Sequence, residues 1–288
     1  MTKYLILIVL LTTSYLLLAV KSAKTYQSFI KEFKPDEFPL SFMAPVSLYL
    51  IDKFRVMERY YGKVSILQQK IISLHGNKAG LAYTKMFVAQ LLSSILLGVL
   101  ASAILAVLGD GDDVIFAAGC MITVIVPVLM IRKLDRCETE RKNAILMELP
   151  ELVNKVILLA NAGENVQRVL IRCADSKGNT NHPLYLELKV AANRLSNNEP
   201  FPLVMNDLSK KCGIQEVSVF TTTILLNYRK GGQDLVLSLR ELSRDLWKKR
   251  TAITKTKGEQ ASSKLVFPLV MIFIAVMIIV GWPAMQLL

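Results

Sequence analysis

Residues 87–131 read FVAQLLSSILLGVLASAILAVLGDGDDVIFAAGCMITVIVPVLMI. Phe87–Leu108 is a run of 22 residues with no Asp, Glu, Lys, Arg or His, and Val114–Ile131 is a second of 18. Between them Gly109–Asp113 holds three aspartates, Asp110, Asp112 and Asp113. A helix rises about 1.5 Å per residue and the hydrocarbon core of a bilayer is about 30 Å thick, so each run can cross it. The pair reads as a transmembrane hairpin.

Two more runs, Tyr4–Val20 and Leu265–Gly281, each of 17 residues, also lack those side chains and just reach spanning length. The 288 residues are 52% hydrophobic with a mean hydropathy of +0.40, above the roughly 45–50% of soluble domains. Four such runs imply four spans rather than one globular core. A cleaved signal peptide is the rival reading of the first. It is disfavoured because Lys21 and Lys24 follow directly and no small-x-small cleavage site stands out.

Lys and Arg flanking spans stay on the cytoplasmic side. Residues 21–85 hold 11 Lys and Arg, and residues 132–264 hold 23, whereas the Gly109–Asp113 turn holds none. The expected topology is therefore both termini outside, with 21–85 and 132–264 inside and Trp282 as an outer aromatic anchor. The segments become span 1 (1–20), cytoplasmic juxtamembrane helices (21–85), the hairpin of spans 2 and 3 (86–131), a cytoplasmic domain (132–264) and span 4 (265–288). The net charge of +12 is accounted for by juxtamembrane attraction to anionic lipid; no nucleic-acid motif is present. Cys120, Cys137, Cys173 and Cys212 are scattered, with no CxxC, and are expected as free thiols.

In 21–85 a polar, Pro-containing stretch (Lys31–Pro39) leads into short helices around Val46–Leu74, with Gly62, Gly76 and Gly80 as breaks. In 132–264, a charged run (Arg132–Lys142) precedes six segments of helical periodicity. The first is Ala144–Ala162, stopped at Gly163; the second follows a cap at Asn165 and runs through Ala174. After a polar linker, Ser176–Asn181, come Pro183–Leu195, Phe201–Lys211 (ended by Cys212-Gly213) and Gln215–Arg229. A Gly231-Gly232 turn then leads to Gln233–Lys257, whose buried face carries Leu235, Leu239, Leu242 and Leu246. The fold class is all-α, with a cytoplasmic six-helix bundle.

Catalytic signatures are missing. There is no GxxxxGK[ST] phosphate loop, no GxSxG elbow, and no cluster around His75 or His182. Asp110–Met121 does not fit a calcium loop, with Ile115 and Met121 at its sixth and twelfth positions. The spans hold no charge to mark an ion path. Neither an enzyme nor a cofactor or metal site is expected. Arg240, Arg244 and Lys248 form a single-sign stripe at i, i+4 and i+8. They read as a partner-binding face, or as a solvated face relieved by Glu241 and Asp245.

The order of parts resembles the F-domain family of type II secretion and type IV pilus assembly, in the single-domain tight-adherence (Tad) branch. Met147-Glu148-Leu149-Pro150-Glu151-Leu152 is similar to the family's opening helix. Leu158–Gly163 with Val166 and Val169-Leu170 is similar to its AG motif, and Tyr228–Leu235 to its central Gly turn. Leu239–Arg250 matches its long charged helix, and Lys264–Pro268 its approach to the last span, with Pro283 near the end. The family places a glycine where this chain has Ser196-Asn197-Asn198-Glu199-Pro200; asparagine also takes the left-handed conformation. Pro150, Gly163, Gly231, Gly232 and Pro268 read as structural punctuation. The resemblance implies a non-enzymatic inner-membrane platform. Its expected partners are a hexameric secretion ATPase, pilin subunits, membrane lipid and a paired platform protein, as a homo- or hetero-dimer; the layout favours the paralogue lettered C. The alternatives are a membrane receptor or scaffold with a helical recruitment domain, and a small-molecule transporter.

Overall fold

The computed structural model describes residues 2–31, 33, 38–75, 80–109, 111–176, 181–227 and 232–286. The Gly76 break, residues 34–37 of the polar stretch, Asp110 of the acidic turn, residues 177–180 of the linker and residues 228–231 of the glycine turn lie outside them, as do the side chains of His75 and Trp282. Among the described residues there are eleven α-helices and no strand. They divide into two compact units, residues 1–141 and 142–288.

The first unit contains α1 (Thr2–Lys31), α2 (Ala44–Lys53), α3 (Val56–Arg59), α4 (Tyr61–His75), α5 (Gly80–Leu108) and most of α6 (Asp113–Asn161). Four helices (α1, α5, α6 and the last) are long and apolar enough to cross a membrane. Their outward side chains, such as Leu17, Leu105, Val124 and Phe267, are exposed. Apolar surface of that extent requires lipid. This is a multi-pass membrane protein.

Close backbone approach holds α5 against α6. A Cβ on Gly98 would stand 2.6 Å from the Thr123 side chain, and one on Gly119 would stand 2.5 Å from Ser102 Cβ and 3.0 Å from its Cα. Small residues let helices approach without a hydrophobic drive between them, which lipid does not supply. At one end of the hairpin Tyr4 of α1 donates to Asp113 and stacks near Phe116. At the other, Asp52 of α2 accepts from Tyr26 of α1 at 2.5 Å and from Lys85 of α5 at 2.7 Å. Lys70 of α4 also pairs with Asp135 of α6 at 2.7 Å. These polar clusters mark the two rims of the apolar layer.

One expected break falls elsewhere. Gly62 sits inside the first turn of α4, and the chain turns instead at Arg55, a non-glycine residue at φ 46°. Nor does the charged run 132–142 separate span 3 from the domain: α6 is one helix of 49 residues. Arg136 donates to Glu140 one turn on at 2.8 Å, a pairing that supports a solvated helix.

The second unit is a six-helix bundle: the end of α6, then α7 (Val166–Asp175), α8 (Pro183–Ser196), α9 (Phe201–Cys212), α10 (Gln215–Asn227) and the start of α11 (Gly232–Gln286). One core joins all six through Leu149, Val153, Leu170, Leu188, Met205, Phe220 and Leu239, each fully buried or nearly so. The expected caps are present. Gly163 takes φ +82° after α6, Asn165 accepts from the Gln167 amide at 3.0 Å, and Gly213 takes φ +64° after α9. His182 caps α8 by accepting from the Leu184 amide at 3.3 Å. Asn198 sits at φ +60° in the turn where the family has glycine.

Replacing Gly119 by Leu should force α5 and α6 apart and cost about 1–3 kcal/mol. Thermal unfolding of the detergent-solubilised chain should show a lowered midpoint. Gly62→Ala, where a Cβ meets nothing within 4 Å, should leave it unchanged or raise it.

Candidate functional site

Helix α11 carries two chemistries on one axis. Leu235, Leu239 and Leu246 are buried in the bundle and Leu242 packs beside them, the expected face. Beyond Leu265 the side chains through Ile279 are apolar and exposed. The opposite face of its first half presents Arg240, Arg244 and Lys248, all three exposed. Lys248 reaches Asp245 at 3.5 Å, while among the described residues Arg240 and Arg244 have no carboxylate within ion-pair distance. Glu241 and Asp245 thus leave most of the stripe unneutralised.

Arg244 and Lys248, but not Arg240, line a shallow groove of about 770 Å³. Its other walls are Asn154, Ser243, Trp247, Thr251, Ala252 and Lys255. Trp247 is 44% exposed, with the Arg250 guanidinium 4.9 Å from its ring. An indole face among three cations suits a partner with both acidic and apolar side chains. Sequence reasoning found the cations and missed the groove, because Asn154 is 89 residues distant from Ser243. The exposed Trp on an otherwise charged helix face was the available signal.

Three side-chain contacts tie this part of α11 to its neighbours. Ser243 donates to Asn154 Oδ1 at 2.7 Å, joining α11 to α6. Thr254 lies 4.0 Å from Met147 Sδ across the same pair. Lys249 donates to Glu216 Oε1 at 2.6 Å, joining α11 to α10. Burial pushes the Glu216 carboxyl up, but the bond from Lys249 and its own backbone contact outweigh it and leave the group below its ordinary value of 4.5. On the far side, Arg194 of α8 donates to Glu199 at 2.7 Å and Asp207 at 2.8 Å, fastening the Asn198 turn onto α9.

Among the described residues no three His, Cys, Asp or Glu side chains converge. Cys173 and Cys212 are core residues, and burial pushes the Cys173 thiol up to about 11, far from thiolate reactivity. The site is an exposed cationic groove with an indole in its wall, on a helical membrane protein.

Residues 152–283 match the family model of the type II secretion system (T2SS), protein F. That segment is an F domain, running from Leu152 in α6 to just past the fourth apolar run. Comparison with curated proteins and with solved structures gives no match. The family is associated with inner-membrane platform proteins of secretion and pilus systems, which work with secretion ATPases and partner platform proteins.

Because the Glu216 carboxyl is lowered in the folded protein, its contribution to stability is complete above 4.5 and is lost as pH falls through the folded value. Hydrogen exchange of α10 in the full chain in detergent should therefore rise on acidification through that range. Lys249→Met should be less protected at neutral pH and should show a shallower acid dependence.

Proposed function

We propose that this chain is the inner-membrane platform of a Tad-type, type IV-like pilus or T2SS-like assembly. In it, the bundle receives work from a cytoplasmic hexameric ATPase and passes it to the membrane spans. The chain acts by binding and movement, not as an enzyme. A pilin's apolar helix is stabilised in lipid by on the order of tens of kcal/mol, so its extraction needs an external source of work, and this sequence has no nucleotide site of its own.

The observation that carries the reading is α11. One uninterrupted helix, Gly232–Gln286, bears core leucines, the Arg240/Arg244/Lys248 face with its groove, and an apolar span. A load placed on the face acts on the same helix that crosses the membrane. The Lys and Arg distribution supports a cytoplasmic bundle with both termini outside. A paired platform protein, forming a hetero-dimer, fits the same scheme.

Deleting residues 145–257 should abolish piliation while pilin levels and membrane insertion persist; normal filaments would refute the mechanism. Reversing Arg240, Arg244 and Lys248 to Glu should reduce co-purification of the secretion ATPase with the full-length protein. Recovery equal to wild type would remove the stripe as its contact. A chain that instead retained unrelated partners, and no ATPase, would be a receptor or scaffold.

A further inference from the structure

Residues 38–51, FPLSFMAPVSLYLI, form a run of 14 residues without Asp, Glu, Lys, Arg or His, bounded by Glu37 and Asp52. An apolar run of about 10–14 residues is too short to span and is read as a buried, interfacial or re-entrant segment. The contacts of α2 decide among these.

At its end, Asp52 binds Lys85 of α5 at 2.7 Å and Tyr26 of α1 at 2.5 Å. Five residues earlier, Ser47 and Ser93 share a fully buried hydrogen bond of 2.7 Å. Ser93 lies eight residues beyond Lys85 on α5, about 12 Å along the axis. Ser47 therefore stands well inside the uncharged length of α5, and Ala44 lies a further turn along α2 from it. On the incoming side, the Phe38 ring is 5.9 Å from Tyr83 and 5.7 Å from Phe33, back at the level of Lys85. The chain thus goes in at Phe38, turns through Ser41–Met43, and comes out at Asp52.

A helix lying flat at the rim cannot make both the Asp52 and the Ser47 contacts. Nor can the whole assembly stand outside the bilayer. That would leave only Ser94–Leu108 of α5 to cross, 15 residues or about 22 Å against a layer of about 30 Å. The inner face of α2 (Ala44, Val46, Leu48, Ile51) is buried against α1 and α5. At the turn, Phe42 is 69% exposed. Tyr49 sits beneath the Lys21 ammonium, 6.0 Å from its ring centroid, as an aromatic at a polar rim does.

We infer that residues 38–51 are a re-entrant segment that dips into one leaflet from the side of Lys85 and returns, with Phe42 in contact with lipid acyl chains. The inference rests on α5 as a membrane span and is independent of the ATPase-coupled reading.

The test uses the full chain, purified and reconstituted in phosphatidylcholine vesicles, with Trp247→Phe and Trp282→Phe removing both native indoles. Phe42→Trp is compared with Phe54→Trp, the latter just past Lys53 and 61% exposed; neither substitution enters the packed core. The Phe42→Trp emission should be blue-shifted, lose most of its intensity when the acyl chains are brominated, and resist aqueous acrylamide. The Phe54→Trp emission should show the reverse. Equal quenching of both by acrylamide, or insensitivity of Phe42→Trp to acyl-chain bromine, overturns the inference, including the case in which a protein partner covers Phe42 instead of lipid.

Discussion

In hydrocarbon a backbone amide or carbonyl has no solvent partner, so a spanning segment satisfies its own along the helix, and non-helical backbone enters only where protein covers it. That constraint shapes this protein beyond the membrane itself. A helix satisfied along its whole length has no reason to stop at the rim, and two here do not. Helix α6 runs on from the third apolar run into the bundle as a single element, and α11 carries a bundle face and the fourth apolar run together. The F domain therefore has no flexible tether at the start of its last span.

The same solvent removes the usual reason for helices to associate. Where lipid is as apolar as Leu, contact must come from close packing and polar pairing. The first unit uses both. Gly98 and Gly119 bring α5 and α6 together with Thr123 and Ser102 filling the space, and buried Ser47 and Ser93 pair across α2 and α5. In the second unit the order is inverted. Leucine, valine and phenylalanine make the core, and polar pairs such as Ser243–Asn154 and Lys249–Glu216 sit at its margin, where they fix the register of helices already driven together by burial.

Much of this was legible in the residues. Absence of charge marked the spans because one charge at mid-membrane costs at least about 2.5–3.5 kcal/mol. Gly163, Asn165 and Gly213 announced helix ends because they satisfy terminal backbone groups locally. Continuity was not legible. The Arg132–Lys142 run offers few apolar positions to read, yet it is part of α6, and Arg136 pairs with Glu140 one turn on. Pro150 resembles a stop, yet α6 passes through it, since packing of Leu149, Leu152 and Val153 outweighs one lost backbone bond. The break assigned to Gly62 falls at Arg55, whose left-handed backbone no residue preference foretells. The depth of α2 was hidden for a related reason: composition gives length, and only the Ser47–Ser93 contact gives level.

The stretch of α11 between these two regimes is the least supported part of it. From Lys255 to Ser263 every side chain is exposed, and a Cβ on Gly258 would meet nothing within 4 Å. Here the helix is held by its own backbone bonds, with a glycine that weakens it by about 1 kcal/mol relative to alanine. Neither core packing nor lipid sets its direction. A helix can transmit axial load through such a stretch, because compression and tension act along its hydrogen bonds, while lateral load is borne by nothing but bending of the backbone. The position of the cationic groove follows from this. Arg244 and Lys248 flank Leu246 in sequence and lie on the opposite face of the last part of α11 that the bundle core grips, so under the proposed coupling a load placed there would move the helix together with the bundle rather than bend it away.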